Sequence, residues 1–222
     1  MLYLYHKEAG ASTLTLTGDE HRYLFKVRRH KAEDMLYLRN LQDGYLYTYE
    51  ILSIDKRSVV LALLSGQHLE IKASRPLHIG WCIIDTKNIE KVLPSLNEMG
   101  VEKITFIYCK RSQKSFKPDF KRLEKILLNS SQQSGRSVMM KLEMAESLED
   151  FLKENPQSYM LNFSEKCIED EKGISIIVIG SEGGFHEEER ALFEKEKIVG
   201  FNTQLVLKSE SAVCAAASKI LL

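Results

Sequence analysis

Over its first seventy residues the chain alternates apolar and polar positions with period two, in short stretches. Leu14-Thr15-Leu16, Met35-Leu36-Tyr37-Leu38, Tyr45 to Ile54 and Ser58 to Leu64 all show it, the pattern of strands buried on one face. Asp43-Gly44 marks a turn between two of them, because glycine tolerates a positive φ. One helix interrupts the strands. Thr17 and Glu20 have the spacing of a capping box, and Asp19 to about His30 follows it. Many short strands with one small helix predict a compact β-barrel.

Past Ser74-Arg75-Pro76 the rhythm changes. Leu77 to Ile84 predicts a buried strand, and Asn88 to Met99 a helix ended by Gly100. Ile104 to Tyr108 predicts another strand. Pro118 is placed to open a helix whose Phe120, Leu123, Ile126 and Leu127 share a face. Tyr159 to Phe163 and Ile174 to Ile179 predict further strands, Glu187 to Glu196 a charged helix, Leu205 to Leu207 a short strand and Ser211 to Leu222 a closing helix. Alternating strands and helices imply an α/β domain with a mainly parallel sheet covered on both faces. The boundary falls near residue 73, giving domains 1–73 and 74–222.

The 222 residues are 44% hydrophobic and 28% charged, an ordinary globular composition. No apolar run approaches the roughly 20 residues that span a bilayer, and the N-terminus lacks the basic and apolar regions of a secretory signal. Cys82, Cys109, Cys167 and Cys214 lie far apart with no CxxC pair. Free thiols in a reducing compartment, the cytoplasm, are therefore expected, rather than a zinc site or disulfides. The net charge is zero, which argues against coating nucleic acid by bulk charge. A local basic run remains: Arg22, Lys26, Arg28, Arg29, Lys31 and Arg39, against only Glu33 and Asp34 from His21 to Arg39.

Three segments carry candidate chemistry. Gly180-Ser181-Glu182-Gly183-Gly184-Phe185 follows a buried strand and precedes a helix, where open α/β sheets bind ligands. Its glycines let backbone approach a ligand closely; a tight strand–helix turn is the ordinary alternative. Neither a P-loop nor GxGxxG is present, so a phosphate cradle is disfavoured. Leu205-Val206-Leu207-Lys208-Ser209-Glu210-Ser211-Ala212 leads into the last helix, with Ser209 or Ser211 placed to cap it. Ser130-Ser131-Gln132-Gln133-Ser134-Gly135-Arg136 offers amides, hydroxyls and an arginine suited to bases and phosphates, or a plain helix C-terminus.

In this order, together with His21 to Val27-Arg28-Arg29, Glu98-Met99-Gly100-Val101 and Arg111, these segments resemble the RsmE-type family of 16S ribosomal RNA uracil-N3-methyltransferases, in the SPOUT superfamily. The resemblance covers most of the chain and is most specific at Gly180 to Gly184 and Leu207 to Ser211. It implies a PUA-like β-barrel followed by an α/β domain with a C-terminal trefoil knot, a feature periodicity does not suggest. It further implies a homodimer that methylates 16S rRNA in the small ribosomal subunit, with S-adenosylmethionine as cofactor and no metal. Matching positions for cofactor binding are Leu161, Asn162, Gly180, Ser181, Glu182, Gly183, Gly184, Leu205, Val206, Leu207, Ser209, Glu210, Ser211 and Ala212. Arg22, Lys26, Arg28 and Arg29 are expected to contact RNA, and His21 to be structural or RNA-facing.

Family members usually carry proline at the position of Ser181, arginines at Leu205 and Lys208, and a lysine at Ser95. N3 of uracil is a poor nucleophile while protonated, so its proton must leave or its anion be stabilised. Arg111, Arg136 and Lys208 are the candidate catalytic residues for that stabilisation; Glu182 is a candidate base or a support of its own loop. The target must be unpaired or flipped out. Two alternatives stay open. One is transfer to another base or a ribose hydroxyl; the other is a non-catalytic RNA-binding or assembly factor with a decayed transferase site.

Overall fold

The computed structural model describes residues 2–222. Contacts divide the chain into two units: residues up to Lys72 with Ser131–Met139, and Ala73–Ser130 with Met140–Leu222.

The first unit is built on β1 (Leu4–Tyr5), β2 (Thr13–Thr17), β3 (Leu36–Arg39), β4 (Tyr45–Ile54) and β5 (Ser58–His68), in the sheet order β1-β3-β4-β5-β2. The period-two pattern does what it predicts: Leu14, Leu16, Tyr49, Val59 and Leu61 are buried in one core while the threonines of β2 face water. Two register shifts between β4 and β5, at Thr48/Tyr49 and Ile51/Ser53, bend this long hairpin. Gly44 has φ +74° in the turn before β4, as its sequence predicts. The helix after β2 departs from expectation. Only α1 (Gly18–Arg22) is α-helical; Tyr23–Val27 widens into a π-turn, and the Thr17 side chain makes no capping bond. The Thr17/Glu20 capping box is thus not formed.

In the second unit β6 (His78–Cys82), β7 (Lys103–Ile107), β8 (Lys141–Ala145), β9 (Tyr159–Leu161), β10 (Ile176–Ile179) and β11 (Ile198–Val199) form one sheet, ordered β11-β9-β10-β6-β7-β8. Every pairing is parallel. Trp81, Ile79, Ile177 and Val178 of the central strands are buried, as the unbroken apolar runs require. The helices are α2 (Thr86–Met99), α3 (Phe120–Ser134), whose residues from Ser131 on belong to the first unit, α4 (Leu148–Glu154), α5 (Glu187–Arg190) and α6 (Ser209–Leu221). The Asp85 carboxylate caps α2 through Lys87 N–H, and Gly100 ends it at φ +96°. The chain steps outward from β6 through β7 to β8, then crosses back to β9 and β10 on the other side of β6. Such a reversal of strand order opens a crevice beyond the carboxyl ends of the strands.

Four expectations are corrected here. Asp119, not Pro118, stands immediately before α3; its carboxylate accepts from Arg122 N–H. The helix expected over Glu187 to Glu196 stops at Arg190, because Phe193 turns into the core beside Cys82 and Val178. Leu205 to Leu207 is not a strand but exposed loop; the outer strand is β11, earlier in the chain, paired to β9. The cysteines are not all free thiols. Register pairs Cys82 with Ile107 at the ends of β6 and β7, so Cys109, two residues on, comes within 5.6 Å Cα–Cα of Cys82 and bonds to it. Cys167 and Cys214 remain free.

Candidate active site in the α/β domain

Three loops meet over the carboxyl ends of β9 and β10 and enclose a cavity of about 410 Å³, within the range of small-molecule sites. The first loop leaves β9 with Leu161, Asn162 and Phe163. The second leaves β10 as Gly180 to Phe185. The third runs from Phe201 through Leu205, Val206 and Leu207 to Ser209 and Ala212 of α6.

Each loop is held by identifiable bonds. Asn162 N–H donates to the Val199 carbonyl at 2.9 Å, and Gly200 N–H to Lys166 at 2.8 Å. A Cβ on Gly200 would lie 2.8 Å from the Ser164 carbonyl oxygen, so the two segments cross only because this residue is glycine. In the second loop Gly184 N–H donates to the Ser181 carbonyl at 2.9 Å, closing a turn in which Gly184 takes φ +67°. The third is tied to the second by a buried relay. Trp81 Nε1–H donates to Ser209 Oγ at 2.9 Å, and Ser209 Oγ–H donates to the Gly180 carbonyl at 2.5 Å. Trp81 and Ser209 are both buried.

A second brace reaches the segment after β7. Glu189, 2% exposed, accepts Lys110 N–H on one carboxylate oxygen at 2.7 Å and His186 N–H on the other at 2.8 Å. Arg111 then donates to the Gly183 carbonyl at 2.5 Å, and Lys110 pairs with Glu188 on the surface. The Glu182 side chain, exposed on the turn, is used by neither brace.

Of the expected cofactor-binding residues, Leu161, Asn162, Gly180, Ser181, Glu182, Gly183, Gly184, Leu205, Val206, Leu207, Ser209 and Ala212 line the cavity, whereas Glu210 and Ser211 do not. Neither Ser209 nor Ser211 caps α6: Lys208 is its N-cap residue, without a side-chain bond. Phe163, Ser164, Ile179, Phe201 and Thr203 line the cavity although no motif singled them out. Their positions, within three residues of strand ends or glycines, were the available signal. Glu182 is the one ionisable side chain among the lining residues. One polar atom of the cavity lining, Ser181 Oγ, is buried without a partner, as expected of a group that bonds a ligand.

The three candidate catalytic cations are placed differently. Arg111 grips the glycine turn, and Lys208 is exposed immediately before α6. Arg136 is buried; its Nε donates to the Val138 carbonyl at 2.8 Å, and its own carbonyl accepts from Tyr3 Oη. Gln132 accepts from Tyr5 N–H, and Ser137 exchanges three bonds with Ile71, two of them through its hydroxyl. The Gln132-to-Arg136 stretch therefore bonds within the first unit. Also in that unit, Arg22 and Lys26 line a concavity, Arg28 lies over the Tyr23 ring at 5.4 Å, and Arg29 is exposed at φ +59°. Among the described residues, no three His, Cys, Asp or Glu converge as a metal site, and no helix is long and apolar enough to cross a membrane.

A parallel sheet with a ligand-sized cavity beyond the carboxyl ends of its strands, preceded in the chain by a small β unit, is an architecture that recurs in known proteins. Residues 72–221 match the family described as RNA methyltransferase domain, and residues 16–64 match the RNA methyltransferase PUA domain. The ribosomal RNA small subunit methyltransferase E of Helicobacter pylori is 41% identical over 225 residues, covering 98% of both chains. That of Rickettsia conorii is 25% identical over 99% of this chain and 93% of its own. The chain thus belongs to the ribosomal RNA small subunit methyltransferase E family. Its fold is that of the Neisseria gonorrhoeae member bound to S-adenosyl methionine, with a TM-score of 0.80 at 18% identity, covering 98% of this chain and 95% of that one. A Legionella pneumophila structure with the bound cofactor SAM superposes at 0.81, with 22% identity and coverage of 99% and 96%.

Proposed function

We propose that this chain transfers a methyl group from S-adenosylmethionine to N3 of a uridine in 16S rRNA of the small ribosomal subunit. The observation that carries the reading is the meeting of three loops, from β9, β10 and the N-terminus of α6, around one cavity rich in backbone groups. A trefoil knot in the C-terminal segment accounts for the close crossing at Gly200. The apolar walls from Leu161, Phe163, Leu205, Val206 and Leu207 suit an adenine ring, and backbone N–H and C=O groups of the same loops suit its polar edge. The unpartnered Ser181 hydroxyl gains a partner when the cavity is filled.

S-adenosylmethionine, when bound, supplies an electrophilic methyl on a cationic sulfonium. The new bond is N3–CH₃, the bond broken is S–CH₃, and the N3 proton must depart. In this reading Glu182, a carboxylate lining the cavity, accepts it as general base. Arg111 and Lys208 supply positive charge to stabilise the uracil anion or hold its phosphate. Arg136 supports the N-terminal unit through its bonds to Val138 and Tyr3. Residues 1–73 hold RNA and residues 74–222 hold the cofactor. The exposed Phe163 (73%), Leu205 (75%) and Val206 (78%) are apolar enough to be covered by a second copy, giving a homodimer.

Calorimetry with S-adenosylmethionine, followed by transfer of its labelled methyl to small subunits from cells lacking this modification, tests the reading. Saturable binding and label in the RNA are expected. RNA binding with no cofactor binding would instead establish a decayed transferase.

A further inference from the structure

The β4–β5 hairpin brings Lys56 and Arg57 to the same concavity as Arg22 and Lys26. The antiparallel register places Thr17 opposite Ser58, so the start of α1 and the tip of the hairpin are neighbours. Arg22 and Lys26 stand four residues apart, on one side of the helical segment. Together with Thr17, Gly18, His21 and Ser58, these cations line a hollow of about 440 Å³. Asp19, Glu20 and Asp55 belong to the same elements, yet none of them lines it. None of the four cations enters an ion pair among the described residues.

The floor of the hollow carries the decisive group. His21 is 7% exposed, its ring rests on Phe25 at 5.0 Å, and its Nε2 is buried with no hydrogen-bond partner. A buried nitrogen without a partner is uncommon and points to a missing ligand. Four unpaired cations around it set the sign of that ligand as negative. Two hydroxyls at the rim, on Thr17 and Ser58, add donors of the kind that accompany phosphate contacts.

We infer that this hollow is a phosphate-binding site for the RNA backbone, in which His21 Nε2 donates to a phosphate oxygen and Lys56 and Arg57 clamp it from the hairpin. The inference rests on the reading of the chain as an RNA methyltransferase and assigns its N-terminal unit a defined backbone contact, extending the basic run of Arg22 and Lys26 to a second element. Such a contact fixes where the RNA lies without reading its sequence.

The test uses a fluorescein-labelled 20-nucleotide RNA of mixed sequence and the full chain, with anisotropy read at several KCl concentrations. Lys56→Ala/Arg57→Ala is expected to weaken binding at least fivefold and to flatten the slope of log K against log[KCl] by roughly 0.7 for a lost single-strand phosphate contact. Lys7→Ala, which removes an exposed cation outside the hollow, is expected to leave both unchanged. In nitrogen-15 spectra the His21 ring signals should move on adding RNA to the wild type and stay still in the double variant. Wild-type affinity and slope in the double variant, or unmoved His21 signals in the wild type, would overturn the inference. Binding is read without methyl transfer. A wild type that binds RNA through this site but transfers no methyl would sink the proposed function and leave the site standing.

Discussion

Replacing Ser209 by alanine removes one hydroxyl and breaks two bonds. Trp81 Nε1–H, fully buried, loses its acceptor, and the Gly180 carbonyl loses its donor. An orphaned buried donor costs roughly 1–3 kcal/mol. Gly180 is partly exposed and water can replace its donor, so that loss is nearer 0.5–1 kcal/mol. The variant should therefore be about 2–3 kcal/mol less stable in denaturant titration. Because the relay positions the cavity loop, about half of this should appear in cofactor binding, and about 1.4 kcal/mol is a tenfold weaker Kd by calorimetry. Trp81 is the chain's single tryptophan, so its fluorescence reports the local change and the global transition alike. Trp81→Phe removes the donor from the other end, and combining the two substitutions should cost less than the sum of each alone. Additive effects, or a Ser209→Ala protein within about 0.5 kcal/mol of the wild type, would refute the claim that this bond sets the loop.

Glu189→Ala strips the acceptor from Lys110 N–H and His186 N–H at once; a loss of about 2–4 kcal/mol in chemical denaturation is expected, since bonds to a carboxylate are the stronger kind. Burial, with Lys103 nearby adding to it, lowers the His78 pKa from 6.5 to about 4. The folded state thus resists a proton that the unfolded state accepts, so stability is full above pH 6.5 and falls as pH drops toward 4; His78→Gln should flatten that slope in urea titrations across this window. Alkylation of the unreduced, unfolded protein should label two thiols by mass spectrometry, Cys167 and Cys214, rising to four after reduction. Loss of the Cys82–Cys109 bond, which closes a separation of 27 residues, should cost about 3.5 kcal/mol by loop-closure entropy.

What could be read from the sequence followed from local rules. The alternation in β2, β4 and β5, the apolar runs of β6 and β10, and the glycine end of α2 each depend on neighbours in the chain, and each formed. The resemblance located the loops around the cavity. Partnerships set by tertiary register stayed hidden. Cys82 meets Cys109 only because β6 and β7 pair in one register. Ser209, expected to cap a helix, bonds instead across the sheet to Trp81 and Gly180, at a separation of 128 residues from the former. Leu205 to Leu207 has the composition of a strand but no partner edge, so it forms loop. Glu189 lay inside a run of three glutamates, and nothing in that run marks which one is buried. Lys56 and Arg57 escaped notice because a basic hairpin tip is ordinary until register sets it beside His21.

The central claim is tested most directly by the product. The chain, S-adenosylmethionine and under-methylated small subunits are incubated together; the 16S rRNA is then digested and its nucleosides identified by mass spectrometry. The account predicts 3-methyluridine, absent without the protein. A methyl on another base or on ribose, or no methylated nucleoside at all, would contradict it.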